Sequence, residues 1–207
     1  MSVGDHDSGA RITFGKTSLE SSSPEVILEN DSYLVDPKVF SGQKQTDGHL
    51  CNYLTTIAQV QLCRNDSYLE DIKNFGGLKG AAEALRKEVG TPELNNFQAR
   101  DVVSERIPDS VEKITLMSLW EPADDLSVGE GVVKMIEQDF LPSVILEGER
   151  HAVLPIGVSE NRQELIVWDA LTGKGDSRLR RVPVDTTMSF NASAKINPVF
   201  KPAKTTK

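Results

Sequence analysis

The chain has 207 residues, with 23 Lys and Arg against 31 Asp and Glu, a formal net charge of −8 and a mean hydropathy of −0.31. That length suits one domain with a tail and allows a sizeable core, while no apolar run reaches the roughly 18 residues a membrane-spanning helix needs. The acidic balance, without a basic stripe, argues against nucleic acid as a partner, because neutralising phosphates takes clustered Lys and Arg.

Residues 1–40 are expected to form a flexible leader. Ser18, Ser21, Ser22 and Ser23 cluster there, and Phe14 and Tyr33 are its only aromatics before Phe40. Such composition buries too little to offset ordering entropy. A short strand fits Val26-Ile27-Leu28. The first residues lack the cationic-then-apolar pattern of a secretory signal peptide, so the expected compartment of origin is the cytoplasm. Two readings of the leader stay open. One is the export segment of an injected bacterial effector, with a secretion chaperone as partner and a host cytosol as destination. The other is an ordinary frayed terminus, to which His6 belongs.

The expected catalytic domain runs over residues 41–190. Leu50, Tyr53, Leu54, Ile57, Ala58 and Gln61 follow helical spacing, which predicts a central helix from Gly48 to about Gln61 with Asp47 or Gly48 as its cap. Arg64 to Ser67 should break it, and Ser67 should cap a short helix to Phe75. Leu78, Ala81, Ala82, Leu85 and Val89 predict an amphipathic helix that Gly90 stops. Thr91 as cap and Pro92 at the first helical position predict another helix, fading near Ser104.

The period then changes. A strand is expected within Val111 to Trp120, a loop over Glu121 to Asp125, and a helix over Val128 to Phe140, weakened by Gly129 and Gly131. Pro142 should lead into a strand at Val144-Ile145-Leu146. After a turn at Glu147 to Arg150 come a buried strand from His151 to Val158, a hairpin loop from Ser159 to Gln163 and a return strand from Glu164 to Trp168. Thr172 to Gly175 is a turn, and Leu179 to Val184 closes the series as a last strand. The remaining residues show no period, and 191–207 are expected to be a draped or frayed tail. Helices first and an antiparallel sheet second argue for α+β.

The two cysteines are Cys51 and Cys63. Twelve residues on one helix separate them by about 18 Å, whereas a disulfide needs Cα atoms within about 7 Å, so two free thiols and a reducing setting are expected. Cys63 reads as a core or partly exposed thiol, and Trp120 and Trp168 as core aromatics, with a substrate platform as the other reading. Two Cys and three scattered His lack zinc spacing, and Gly173-Lys174-Gly175 lacks the spacing of a phosphate loop. No metal and no cofactor are expected.

Cys51 opens the central helix, where unpaired N–H groups and the macrodipole favour a thiolate. His151 opens a strand that can face this helix start and act as its base. Asp169 ends the adjacent strand of the same hairpin, where cross-strand neighbours come within about 5 Å, and would fix the tautomer of the imidazole. The N–H of Cys51 and the side-chain amide of Gln45 would serve as oxyanion donors. His49 is a weaker rival base, since side chains two apart on a helix diverge.

Gln45 six positions before a helix-opening Cys51, then His151 starting a strand, then Val167-Trp168-Asp169 at the end of the next, resembles the papain-like cysteine peptidases. The closer similarity is to the C39-like branch and related bacterial effector and toxin domains. Trp168-Asp169-Ala170-Leu171-Thr172-Gly173-Lys174-Gly175 is similar to the matching segment of glutamine deamidase effectors of this fold. The likeness spans roughly residues 43 to 184, and its two short motifs are its specific part. His49-Leu50 and Asn52-Tyr53 flank the nucleophile where papain-type enzymes carry Gly, Ser or Trp. The resemblance implies a papain-like fold and a cysteine hydrolase, with Cys51 as nucleophile, His151 as base, Asp169 as orienter and Gln45 as oxyanion donor. It implies a host or partner protein as substrate, either a cleaved peptide bond or a hydrolysed Gln side-chain amide as outcome, and virulence as the setting. A non-catalytic binding module on the same fold, or an acyl transferase, shares these features.

Overall fold

The stretch Cys51–Cys63 contains no charged residue, and a helix without charge can be buried on every side. In the computed structural model it forms helix α1, and every residue from Asn52 to Cys63 is buried. The structure describes residues 12–14, 17–19, 30–45, 47–64, 73–107, 113–114, 127–146, 149 and 151–202. Helix α2 (Leu78–Val89) and helix α3 (Asn96–Arg106) pack against α1 on one side. The sheet packs on the other. Two buried polar side chains of α1 find partners on the sheet: Gln59 Nε2 donates to the Leu141 carbonyl at 2.6 Å, and the hydroxyls of Thr55 and Ser143 lie 3.2 Å apart. Helix α4 (Val128–Glu137) starts with a reciprocal capping box between Ser127 and Glu130 and also packs on the sheet.

The strands are β1 (Ile12–Phe14), β2 (Thr17–Leu19), β3 (Ser32–Tyr33), β4 (Lys113–Ile114), β5 (Phe140–Leu146), β6 (His151–Val158), β7 (Glu164–Trp168), β8 (Leu179–Pro183) and β9 (Thr187–Lys195). Strands β1 and β2 pair with each other. The main sheet is antiparallel in the order β4-β9-β5-β6-β7-β8, and β3 pairs with the far end of β6. Every residue of β6 is buried, as expected of a strand covered on both faces. Pro155 removes one ladder donor, and the register against β7 shifts between Pro155 and Gly157. Gly157 is required by close approach, since a Cβ there would sit 2.6 Å from the Ser32 carbonyl oxygen. The architecture is therefore α+β, mixed helices and an antiparallel sheet. Among the described residues no helix is long and apolar enough to cross a membrane.

Several boundaries differ from the sequence expectation. The end of the expected leader is built into the fold: Leu34, Val35 and Phe40 are buried, and the Phe40 ring stacks on Trp168 at 4.6 Å. Residues 187–195, expected to straddle the end of the domain and the start of a tail, form β9 between β4 and β5. Helix α3 begins at Asn96, not after Thr91, because Asn95 and Gln98 form a capping box while Thr91 bonds to the Tyr53 hydroxyl. Strand β5 starts at Phe140, ahead of Pro142, and α4 stops at Glu137. The expected strand at residues 26–28, most of the short helix after Ser67 and most of the strand within 111–120 lie outside the described residues.

Candidate active site

The approach to α1 is set by residues 45–50. Asp47 is extended and its carboxylate accepts from the His49 N–H at 2.9 Å, which starts a 3-10 turn over Gly48–Leu50. That turn runs directly into Cys51, the first residue of α1. Arg86 of α2 holds the same carboxylate from 3.0 Å. The preceding loop is knitted to the turn after β7: the Gln45 N–H donates to the Ala170 carbonyl at 2.8 Å and the Gly42 N–H to the Asp176 carbonyl at 3.2 Å. Cys51 and Asp169 thus lie at the ends of two loops bonded to each other.

His151 is the first residue of β6, opposite Leu146 of β5. Asp169 follows the last residue of β7, whose Trp168 pairs with Leu154. The two side chains meet at 2.8 Å, His151 Nε2 to Asp169 Oδ1, and they are 7% and 1% exposed. With Nε2 engaged, Nδ1 is the ring nitrogen left for the sulfur, and the His151 imidazole is near enough to the half-buried Cys51 thiol to act on its ionisation. The backbone N–H groups of Ala152 and Asn52 act on the thiol in the same direction.

The electrostatics follow this chain. Burial pushes the Cys51 thiol up, but the His151 hydrogen bond, the two backbone donors and the imidazolium charge outweigh it, and the net direction is down. Burial pulls the His151 imidazole down, yet the bonds and charges of Asp169 and Cys51 raise it from 6.5 to about 9. Burial pushes Asp169 up, and its bonds to His151 and Thr172 hold it well below the carboxylate range. The carboxylate is closed off by its own turn. Oδ1 also accepts the N–H of Leu171 at 3.0 Å and of Thr172 at 2.9 Å, and Oδ2 accepts the Thr172 hydroxyl. Gly173 completes this turn; a Cβ there would lie 2.0 Å from the Arg178 carbonyl oxygen and 2.5 Å from that of Asp169.

Of the residues expected from sequence, Cys51, His151 and Asp169 are thus brought together, with His151 bonded to Asp169 and acting on the Cys51 thiol. Gln45 is buried on the loop leading to Cys51, and one N–H of its amide goes to the Asp47 carbonyl; a primary amide carries a second. His49 points elsewhere: its Nδ1 meets Glu93 at 2.6 Å on the surface, with both side chains about two-thirds exposed at 67% and 69%. Cys63, at the far end of α1, is buried with its Sγ 3.5 Å from the Ala194 carbonyl, and burial pushes its thiol up. Sequence reasoning did not single out Thr172, or the donors of Ala152 and Asn52. The signal for Thr172 was an Asp followed three residues later by Thr before Gly, a local side-chain-to-backbone turn. Among the described residues no group of three or more His, Cys, Asp or Glu is placed to hold a metal ion. No protein-family model, curated protein or solved structure matches the chain.

Proposed function

We propose that this chain is a cysteine hydrolase with a papain-like arrangement, acting on an amide bond of a protein substrate. The observation that carries it is the meeting of the half-buried Cys51 with the buried, hydrogen-bonded His151 and Asp169, with the thiol pulled down and the imidazole pulled up. Helix-first order, a nucleophile on the first residue of the central helix, a base opening one strand and an orienter ending the next support the papain-like reading.

In this reaction the Cys51 thiolate attacks the amide carbonyl carbon. The oxygen takes the negative charge and is met by the Cys51 N–H and the free N–H of the Gln45 amide. The imidazolium of His151 gives its Nδ1 proton to the leaving nitrogen as the C–N bond breaks, leaving a thioester on Cys51. Water then attacks the thioester carbon while His151 takes its proton, and the acid product leaves as the thiol sulfur is released. Asp169 stays ionised throughout and orients the ring.

The same steps cleave a peptide bond or hydrolyse a glutamine side chain, and products separate them. Candidate protein substrates are incubated with wild type and with Cys51→Ala and compared by mass spectrometry. A new chain break that depends on Cys51 identifies a peptidase. Loss of ammonia with a gain of about one dalton identifies a deamidase of the same mechanism. If neither appears and iodoacetamide labels Cys51 equally fast in wild type and His151→Ala near pH 6, the hydrolase reading is wrong and a binding module remains.

A further inference from the structure

We infer that Thr172 and Arg180 are positioning residues: they clamp the outer oxygen of Asp169 and make that position demand a carboxylate rather than an amide. The inference rests on the proposed thiol chemistry and deepens it. Arg180, on β8, contacts three groups at once. Its Nη2 reaches both oxygens of Glu149, two residues before His151, at 3.1 and 2.9 Å. Its Nη1 lies 3.3 Å from Thr172 Oγ1. Its Nε is buried, makes no hydrogen bond, and faces Asp169 Oδ2 from 3.6 Å.

These contacts fix directions. A guanidinium can only donate, so the Thr172 hydroxyl accepts from Arg180 and sends its own proton to Asp169 Oδ2. Oδ2 therefore faces donors only. Oδ1 also faces donors only: the His151 ring N–H and the N–H groups of Leu171 and Thr172. An Asn at this position has one oxygen for two donor-lined places. With its oxygen toward His151, its NH2 meets the Thr172 hydroxyl and Arg180 Nε. Turned round, its NH2 meets the imidazole and two backbone N–H groups. Either way buried donors oppose donors, a mismatch that corresponds to about a five- to hundredfold effect. The clamp also ties the turn before the base to the orienter through Glu149, so the imidazole is held from both sides.

The test is the pH profile of Cys51 alkylation by iodoacetamide, followed by peptide mass spectrometry on the full chain. Wild type, His151→Ala, Thr172→Val, Thr172→Ser, Asp169→Asn and the double variant Asp169→Asn/Arg180→Met are compared. Thr172→Val should move the alkylation midpoint up toward that of an ordinary thiol, and Thr172→Ser should restore it. Asp169→Asn should slow alkylation near pH 6 by about tenfold, and adding Arg180→Met should recover most of that loss, because the Arg180 Nε that opposes the amide NH2 is then gone. A structural role alone gives no such recovery. A profile of Thr172→Val matching wild type, or a double variant no faster than Asp169→Asn, overturns the clamp while leaving the thiol reading intact. An ordinary midpoint in wild type, unchanged in His151→Ala, overturns both.

Discussion

Replacing Cys51 by Ala should create a pH dependence of stability that the wild type lacks. In the folded wild type the thiol is pulled down from its ordinary value and the imidazole is raised from 6.5 to about 9, so the thiolate–imidazolium pair of the proposed chemistry holds one proton, on His151. In the unfolded chain, between about pH 6.5 and 9, the pair also holds one proton, on the sulfur. Equal proton counts mean no slope of stability with pH from this pair. Removing the thiol exposes the imidazole alone, still raised by Asp169. A group whose folded value exceeds its unfolded value stabilises fully below the unfolded value, and loses that contribution as pH rises through the folded one. A rise to about 9 is worth on the order of 3 kcal/mol, and the part due to Asp169 remains without Cys51, so that figure is the upper bound. Urea unfolding of wild type and Cys51→Ala near pH 6.5 and pH 9 measures it. The difference between the two should change by up to that amount, on the order of 1 M in midpoint at slopes typical of small proteins. Parallel stability profiles for the two proteins would refute the ion-pair reasoning.

Other expectations test the frame around the site. Gly157→Ala places a Cβ 2.6 Å from a backbone oxygen of β3, so it should cost about 1–3 kcal/mol in urea unfolding while Cys51 labelling stays as in wild type, since β3 pairs at the end of β6 away from His151. Asn95→Ala should lose about 1 kcal/mol through its capping box, whereas Pro92→Ala should stay within about 0.5 kcal/mol; the reverse order would put the start of α3 back at Thr91. His49→Ala should leave the alkylation rate of Cys51 near pH 6 unchanged, and a large drop would restore His49 as a base.

What could be read from the sequence was what chemistry and short-range geometry dictate. The helix of Leu78–Val89 follows from its spacing, and the capping of the turn before Cys51 follows from Asp47. Cys51, His151 and Asp169 stood out because a thiol, a base and an orienter need those residue types at the ends of elements. β9 did not stand out: Thr187, Ser193 and Ala194 are buried, but small and polar residues carry no apolar alternation, and the helices that pack on β9, α3 and α4, are distant in sequence. Leu34, Val35 and Phe40 are too few and too unevenly spaced to show a period, and Phe40 gains its place from Trp168, far along the chain. Thr91-Pro92 and Asn95 with Gln98 were competing local start signals, and the Tyr53 hydroxyl decides between them by taking Thr91. Arg180 and Glu149 could not be connected at all without the sheet that brings β8 beside the turn preceding His151.

The central claim is that the sulfur of Cys51 is ionised by its partnership with His151 in the folded protein. The far-ultraviolet absorbance of the thiolate, taken as the difference between wild type and Cys51→Ala and titrated from about pH 4 to 10, measures this directly. Thiolate absorbance should already be present near pH 6 and should shift to the range of an ordinary thiol in His151→Ala. An absorbance that first rises above about pH 8 in wild type, with the same midpoint in His151→Ala, would contradict the claim.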